Sequence, residues 1–160
     1  MSGTAPPETR IGHVNLKVGD LDRAITFYTE VLGLSLTSRF GTGAAFLAAG
    51  SYHHHIGLNT WESAGANPPP AGHAGLHHVA LLYPDRKSLA QVVLRAMAHD
   101  VAITGKSDHG ATESVYFRDP DGNGVEVYRD RPEEEWPRNA DGTLMPLNKP
   151  LDLDALLRDA

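Results

Sequence analysis

Ile11-Gly12-His13-Val14-Asn15-Leu16 and Leu76-His77-His78-Val79-Ala80-Leu81 decide the reading of this chain. Each stretch alternates in the manner of a strand, and the two carry a His at the same place. Each also leads into a helix signal. Asp20 can cap a helix from Leu21, with Ala24, Phe27, Tyr28, Val31 and Leu32 on one apolar stripe and Gly33 as its stop. Asp85 can cap a second helix with the face Leu89, Val92, Val93, Ala96 and Met97. Three strands are expected after the first helix, at Leu34–Arg39, Ala44–Ala48 and His54–Thr60. Three more are expected after the second, at Val101–Thr104, Ser114–Arg118 and Val125–Arg129. The pattern is an internal repeat of two βαβββ modules. The predicted fold class is α+β, with two tandem modules forming a curved mixed sheet around a cleft.

The boundaries follow from composition. Residues 1–9 are polar and Pro-bearing, a loose terminus. A single domain is expected over 10–131, with module one at 10–61, a Pro/Gly/Ala linker at 62–74 and module two at 75–131. Residues 132–160 read as a C-terminal packing arm or lid, with a short helix from Asp152 bearing Leu153, Leu156 and Leu157. Hydrophobic content of 41% and charged content of 21% are those of a soluble globular domain. A net charge of −6 offers no basic field for nucleic acid. No apolar run is long enough to span a bilayer, and there is no signal-peptide core, so neither membrane insertion nor export is expected. The absence of Cys fits a reducing cytoplasm and removes thiolate ligands and nucleophiles. The unusual feature is nine His residues, clustered rather than scattered.

Asp108–Tyr128 holds the chemistry. Val115–Phe117 and Val125–Tyr128 read as a hairpin around Asp119-Pro120-Asp121-Gly122-Asn123-Gly124, a run of turn residues. Glu126 is a carboxylate within an apolar strand, costly if buried alone, and a cation is the obvious partner. A lone strand His is ordinarily a satisfied core or surface residue. Here the repeat sets His13 and His78 at equivalent places, and with Glu126 they make two imidazoles and one carboxylate. That is the facial donor set of open non-haem Fe(II) sites, which Mn(II), Zn(II) or Ni(II) can also occupy. The cleft is therefore read as metal-binding. His77 should face away from His78 by alternation. His53-His54-His55 opens a strand and could equally be an adventitious metal tract or a solvated turn. Alternation sends His54 to one side and His53 and His55 to the other. Tyr116 lies on the strand beside Glu126 with the same parity, and His109 lies on a loop able to fold over the site.

These residues resemble the vicinal oxygen chelate superfamily, which takes in glyoxalase I, bleomycin- and fosfomycin-resistance proteins and type I extradiol dioxygenases. The resemblance is carried by the paired modules and the Gly-His-Val start. It is finest to the extradiol, catechol 2,3-dioxygenase-like members. His109-Gly110, Tyr116 and Asp119-Pro120-Asp121-Gly122-Asn123-Gly124-Val125-Glu126 are similar to their His…Tyr…Asp-Pro-x-Gly-Asn…Glu signature. His54-His55-Ile56-Gly57-Leu58 is similar to their His-bearing strand. The resemblance spans about Ile11–Arg131. It implies a cytoplasmic Fe(II)-dependent dioxygenase that opens a catechol-type ring with O2. His13, His78 and Glu126 would be metal ligands, His54 the acid/base, and His109 and Tyr116 the groups that hold substrate oxygens. A repeat alignment at an offset of 71 sets His55, not His54, against Glu126. A homodimer is expected, because such modules pair within a chain or swap between chains. The alternatives are another metalloenzyme of the superfamily (a glyoxalase-like lyase or isomerase, or a thiol transferase) and a metal-free drug-binding protein. A fourth ligand, often Glu, would mark the lyase, and module one's last strand offers Gly57, Leu58 and Asn59 instead.

Overall fold

The computed structural model describes residues 3–160. Module one runs β1 (Val14–Lys17), α1 (Leu21–Thr26), a π-helical turn (Phe27–Val31), β2 (Ser35–Phe40), β3 (Ala44–Ala48) and β4 (Ile56–Asn59). Module two repeats it as β5 (Val79–Leu82), α2 (Arg86–Ala98), β6 (Gly105–Asp108), β7 (Thr112–Arg118) and β8 (Gly124–Asp130). The arm adds a 3-10 turn (Glu133–Glu135), β9 (Lys149–Pro150) and α3 (Leu153–Leu157). The strands form two hydrogen-bonded sheets rather than one continuous one, ordered β1-β4-β3-β2 and β5-β8-β7-β6-β9. β1 pairs parallel with β4, and β5 parallel with β8, so the sequence repeat is a repeat of topology as well. No helix among the described residues is long and apolar enough to cross a membrane.

Local chemistry sets the helix ends. The Asp20 carboxylate accepts from Arg23 N at 3.0 Å and the Asp85 carboxylate from Ser88 N at 2.7 Å, each satisfying an orphan amide of the first turn. Gly33 takes φ 76° just past the π-helical turn, a conformation only Gly adopts without strain. The α1 stripe is buried, as are Leu89, Val92, Val93 and Ala96 of α2. Met97, by contrast, is 46% exposed, although its neighbour Ala96 is fully buried.

One expected strand is corrected, and one strand was not expected. Val101–Thr104 is not a strand. Val101 and Ile103 pack against the core, but the ladder starts only at Gly105, which pairs with Tyr116. The arm's β9, too short and Pro-bearing to be read from sequence, pairs with Ser107 and Asp108 at the sheet edge.

One apolar core joins the modules. It draws Leu16, Phe27, Ile56 and Leu58 from the first and Val79, Val92, Phe117, Val125 and Val127 from the second. Polar links cross the same joint. Tyr28 OH donates to Asp119 at 3.1 Å, Gly19 N to Asp121 at 2.7 Å, Tyr83 OH to the Leu32 carbonyl at 2.7 Å, and Arg95 Nε to the Val31 carbonyl at 2.9 Å. The Asp119–Gly124 turn is thus a structural clasp. Asp119 also accepts from Asp121 N, Asn123 N and Asn123 Nδ2, which holds the turn before β8. Alternation within each sheet sends one face to the core and leaves the other face to the candidate site.

Candidate active site

Strand register assembles most of the site. β7 and β8 set Tyr116 directly opposite Glu126, and β5 sets Ala80 on Glu126's other side. Opposite residues share a face, so the Tyr116 phenol reaches the Glu126 carboxylate, donating at 3.0 Å. His78 stands one position before β5. Its Nε2 lies 2.9 Å from the second Glu126 oxygen. Gly124 makes this possible. A Cβ there would collide with the His77 carbonyl, so only Gly lets the start of β5 lie this close to β8. His77 itself is exposed.

His109 closes the group from the β6–β7 loop. Its Nε2 is 3.1 Å from Tyr116 OH, and its Nδ1 is 2.9 Å from the Leu147 carbonyl of the arm. His78, Glu126, Tyr116 and His109 therefore form one connected polar row. Only 12% of the Glu126 side chain is exposed, so its charge is largely withdrawn from water. The Ser114 hydroxyl, two residues before Tyr116 on the same face, is buried with no hydrogen-bond partner among the described residues. Burial holds the Tyr116 pKa above that of an ordinary phenol, and the Glu126 carboxylate pushes the same way, so at neutral pH Tyr116 keeps a proton to donate.

The module-one groups stand apart from this row. His13 is exposed just before β1 and shares with His78 the wall of a cleft of about 450 Å³, which Tyr128, His55, Leu76 and Ile11 also line. Its ring is 4.4 Å from that of His54. Among the described residues, no three His, Asp or Glu side chains converge closely enough to hold one ion. The His78–Glu126 pair is drawn together, whereas His13 faces the cleft beside His54. His54 also packs on Phe46, with ring centroids 4.9 Å apart, and its Nδ1 is 2.7 Å from that of His53. Desolvation, then the neighbouring imidazoles His13, His53 and His55, depress the His54 pKa, which favours the neutral ring. His55, on the wall of the cleft, accepts from Ala49 N at 3.3 Å.

The register also corrects that repeat alignment. Gly57 pairs with Asn15 as Glu126 pairs with Ala80, so Gly57, not His55, is the module-one counterpart of Glu126. The strand connections differ in length between the modules, so no single offset carries one module onto the other. The Asn15 amide fills the space a side chain at Gly57 would take, and it accepts from Asn59 Nδ2 at 2.6 Å. Gly124, Gly57 and Leu147 were not visible as site residues in the sequence. Only the first two left a trace there, Gly124 as the end of a turn run and Gly57 as a Gly within a strand pattern.

Comparison with known proteins agrees with this architecture. The chain is 35% identical over 154 residues to a catechol-2,3-dioxygenase of Bacillus subtilis (strain 168), which covers 96% of this chain and 53% of that protein. The chain thus spans about half the length of that relative. It is 30% identical over 128 residues to biphenyl-2,3-diol 1,2-dioxygenase 3 of Rhodococcus globerulus, covering 78% of this chain and 67% of that one. The crystal structure of a lactoylglutathione lyase from Agrobacterium tumefaciens superposes with a TM-score of 0.59 at 27% identity, over 78% of this chain and 96% of that one. The family model matches residues 10–127, and the chain belongs to the glyoxalase/bleomycin resistance protein/dioxygenase superfamily.

Proposed function

We propose that the chain is a metal-dependent extradiol dioxygenase that opens a catechol-type ring with O2. The observation that carries this reading is the row His78–Glu126–Tyr116–His109, in which a metal-type carboxylate is continuous with two groups suited to hold substrate oxygens. The residues fit a divalent metal by their chemistry. Glu126 is nearly buried and turns one oxygen to an imidazole nitrogen, so donor lone pairs meet where a cation would be stabilised. His78 and Glu126 would hold it, with His13 as the third ligand from the same cleft. Fe(II) is the ion of this reading, and Mn(II), Zn(II) or Ni(II) suit the same donors. When bound, the metal supplies the electron-transfer chemistry that lets O2 react with an aromatic diol.

The other roles belong to side chains. His54, held neutral beside His13, accepts a phenolic proton and later returns it. Tyr116 donates its hydroxyl to an oxygen that gains charge. His109 orients a substrate oxygen next to Tyr116. Gly57 favours this reading over a lyase, because it leaves the position equivalent to Glu126 without a carboxylate to serve as a fourth ligand. The same reading takes the chain as a homodimer. Ile11, Leu76 and Leu82 are 86%, 60% and 54% exposed beside the cleft, apolar surface that a second copy would cover.

The test is anaerobic reconstitution with Fe(II), then addition of a catechol and O2. Oxygen uptake with a yellow ring-opened product is expected. Stoichiometric Fe(II) with no turnover of any catechol tested would overturn the dioxygenase reading and favour a lyase or transferase.

A further inference from the structure

We infer that the C-terminal arm is a working part of the site: the Leu147 carbonyl fixes His109 as its Nδ1–H tautomer, so the nitrogen that faces Tyr116 is a proton acceptor. The functional weight of this rests on the proposed role of His109, but the tautomer itself does not.

A carbonyl oxygen only accepts, so at 2.9 Å from Leu147 O the His109 Nδ1 must carry the proton. The hydrogen bond at one ring nitrogen sets the state of the other. In neutral His109, Nε2 is then a lone pair, 3.1 Å from Tyr116 OH. Tyr116 has one proton and two acceptors in reach, His109 Nε2 and Glu126 at 3.0 Å. A partner that occupies Glu126 releases that proton toward His109. A ligand that reaches His109 Nε2 meets an acceptor, which suits an O–H donor such as a phenol still carrying its proton.

The contact is built rather than incidental. The arm is anchored on both sides of Leu147. Before it, Met145 N donates to the Pro137 carbonyl at 2.8 Å and Trp136 Nε1 to the Arg131 carbonyl at 2.8 Å. After it, Lys149 pairs with Asp108, the residue before His109, and Leu151 and Leu156 are buried in the core. The loop is tied down as well. Asp108 accepts from Gly110 N at 2.8 Å and from Arg131 Nη2 at 2.8 Å. Gly110 has φ 80°, and a Cβ there would lie 2.6 Å from Pro137 Cγ and 2.9 Å from Leu147 Cδ1. The arm and the His109 loop therefore pack to the limit that glycine allows, which holds the carbonyl against the imidazole. Leu147 is a positioning residue and acts through its backbone.

The test is long-range ¹H–¹⁵N correlation on the full chain with ¹⁵N-labelled His, with His109 assigned by its loss in His109→Gln. It needs neither metal nor turnover, so it stands apart from the dioxygenase assay. At neutral pH, His109 should show a pyrrole-type Nδ1 and a pyridine-type Nε2. A protonated Nε2 with bare Nδ1, or averaged tautomers, would overturn the inference. In Leu147→Gly and Gly110→Ala, which loosen and wedge the contact, the His109 pattern should shift toward averaged tautomers while the His78 signals hold. If Gly110→Ala does not fold, Leu147→Gly alone decides. A fixed Nδ1–H tautomer in the folded loosened variant would refute the arm's role.

Discussion

Asp119→Ala tests the clasp on which the two-module cleft depends. The Asp119 carboxylate, only 4% exposed, accepts from Tyr28 OH, Asp121 N, Asn123 N and Asn123 Nδ2. Alanine strands two donors inside the protein, the Tyr28 hydroxyl at 0% exposure and the Asp121 amide of a residue at 6%. A buried donor without an acceptor costs about 1–3 kcal/mol. Asn123 is half-buried and can turn to water, so the variant should lose about 4 kcal/mol in all, summing two such groups. For a chain of this size that is a fall in Tm of roughly 8–16 °C, at about 2–4 °C per kcal/mol. Tyr28→Phe should cost less, about 1–2 kcal/mol, because the carboxylate keeps its other donors. In the double variant the Asp119→Ala cost should shrink by about 1–3 kcal/mol, since the hydroxyl is no longer stranded. Urea unfolding of the four proteins with linear extrapolation gives every term. A loss below about 1 kcal/mol for Asp119→Ala, or additive costs in the cycle, would refute the clasp.

Three further outcomes follow from the same geometry. Burial raises the Tyr83 pKa to about 12 while its hydroxyl donates to the Leu32 carbonyl. The folded state thus holds its proton longer than the unfolded one. Tyr83's contribution is complete below the ordinary phenol range and is lost as pH rises toward 12, so Tyr83→Phe should flatten the alkaline limb of stability against pH. Glu113, 4% exposed, accepts from Arg86, Arg129 and Arg131, and Arg86 also pairs with Asp159 beyond α3. Glu113→Gln leaves three guanidiniums facing one another; a loss of about 3 kcal/mol by denaturant titration is expected, the low end for a broken buried pair because the arginines stay partly hydrated. His54→Phe should leave the metal bound and slow ring opening by about 10²-fold or more, the usual share of a general acid/base. An unchanged rate would move that role to another residue.

What could be read in the sequence was what local chemistry encodes. Asp20, Asp85 and Gly33 marked helix ends because capping and a positive φ are decided within a few residues. Tyr116 and Glu126 shared a face because the turn between them fixed the hairpin parity. What could not be read depended on distant contacts. Val101 and Ile103 alternate like a strand but pack without pairing, while the true β6 carries Lys106, Ser107 and Asp108 and lacks any apolar signal. The Gly57 correspondence waited on the ladder. The bond between His109 and Leu147 joins segments 38 residues apart, and no periodicity reports it. Neither the pairing of His78 with Glu126 nor the separate place of His13 beside His54 follows from their sequence spacing.

His13, His78 and Glu126 are proposed to hold one divalent metal. The most direct measurement is Fe(II) content after anaerobic loading and desalting, compared among the unmodified chain, His13→Ala, His78→Ala and Glu126→Ala, with folding checked by circular dichroism. A shared site with only three protein ligands predicts about one Fe(II) per site in the unmodified chain and loss of the metal in each folded variant. Full retention in His13→Ala and Glu126→Ala would contradict it.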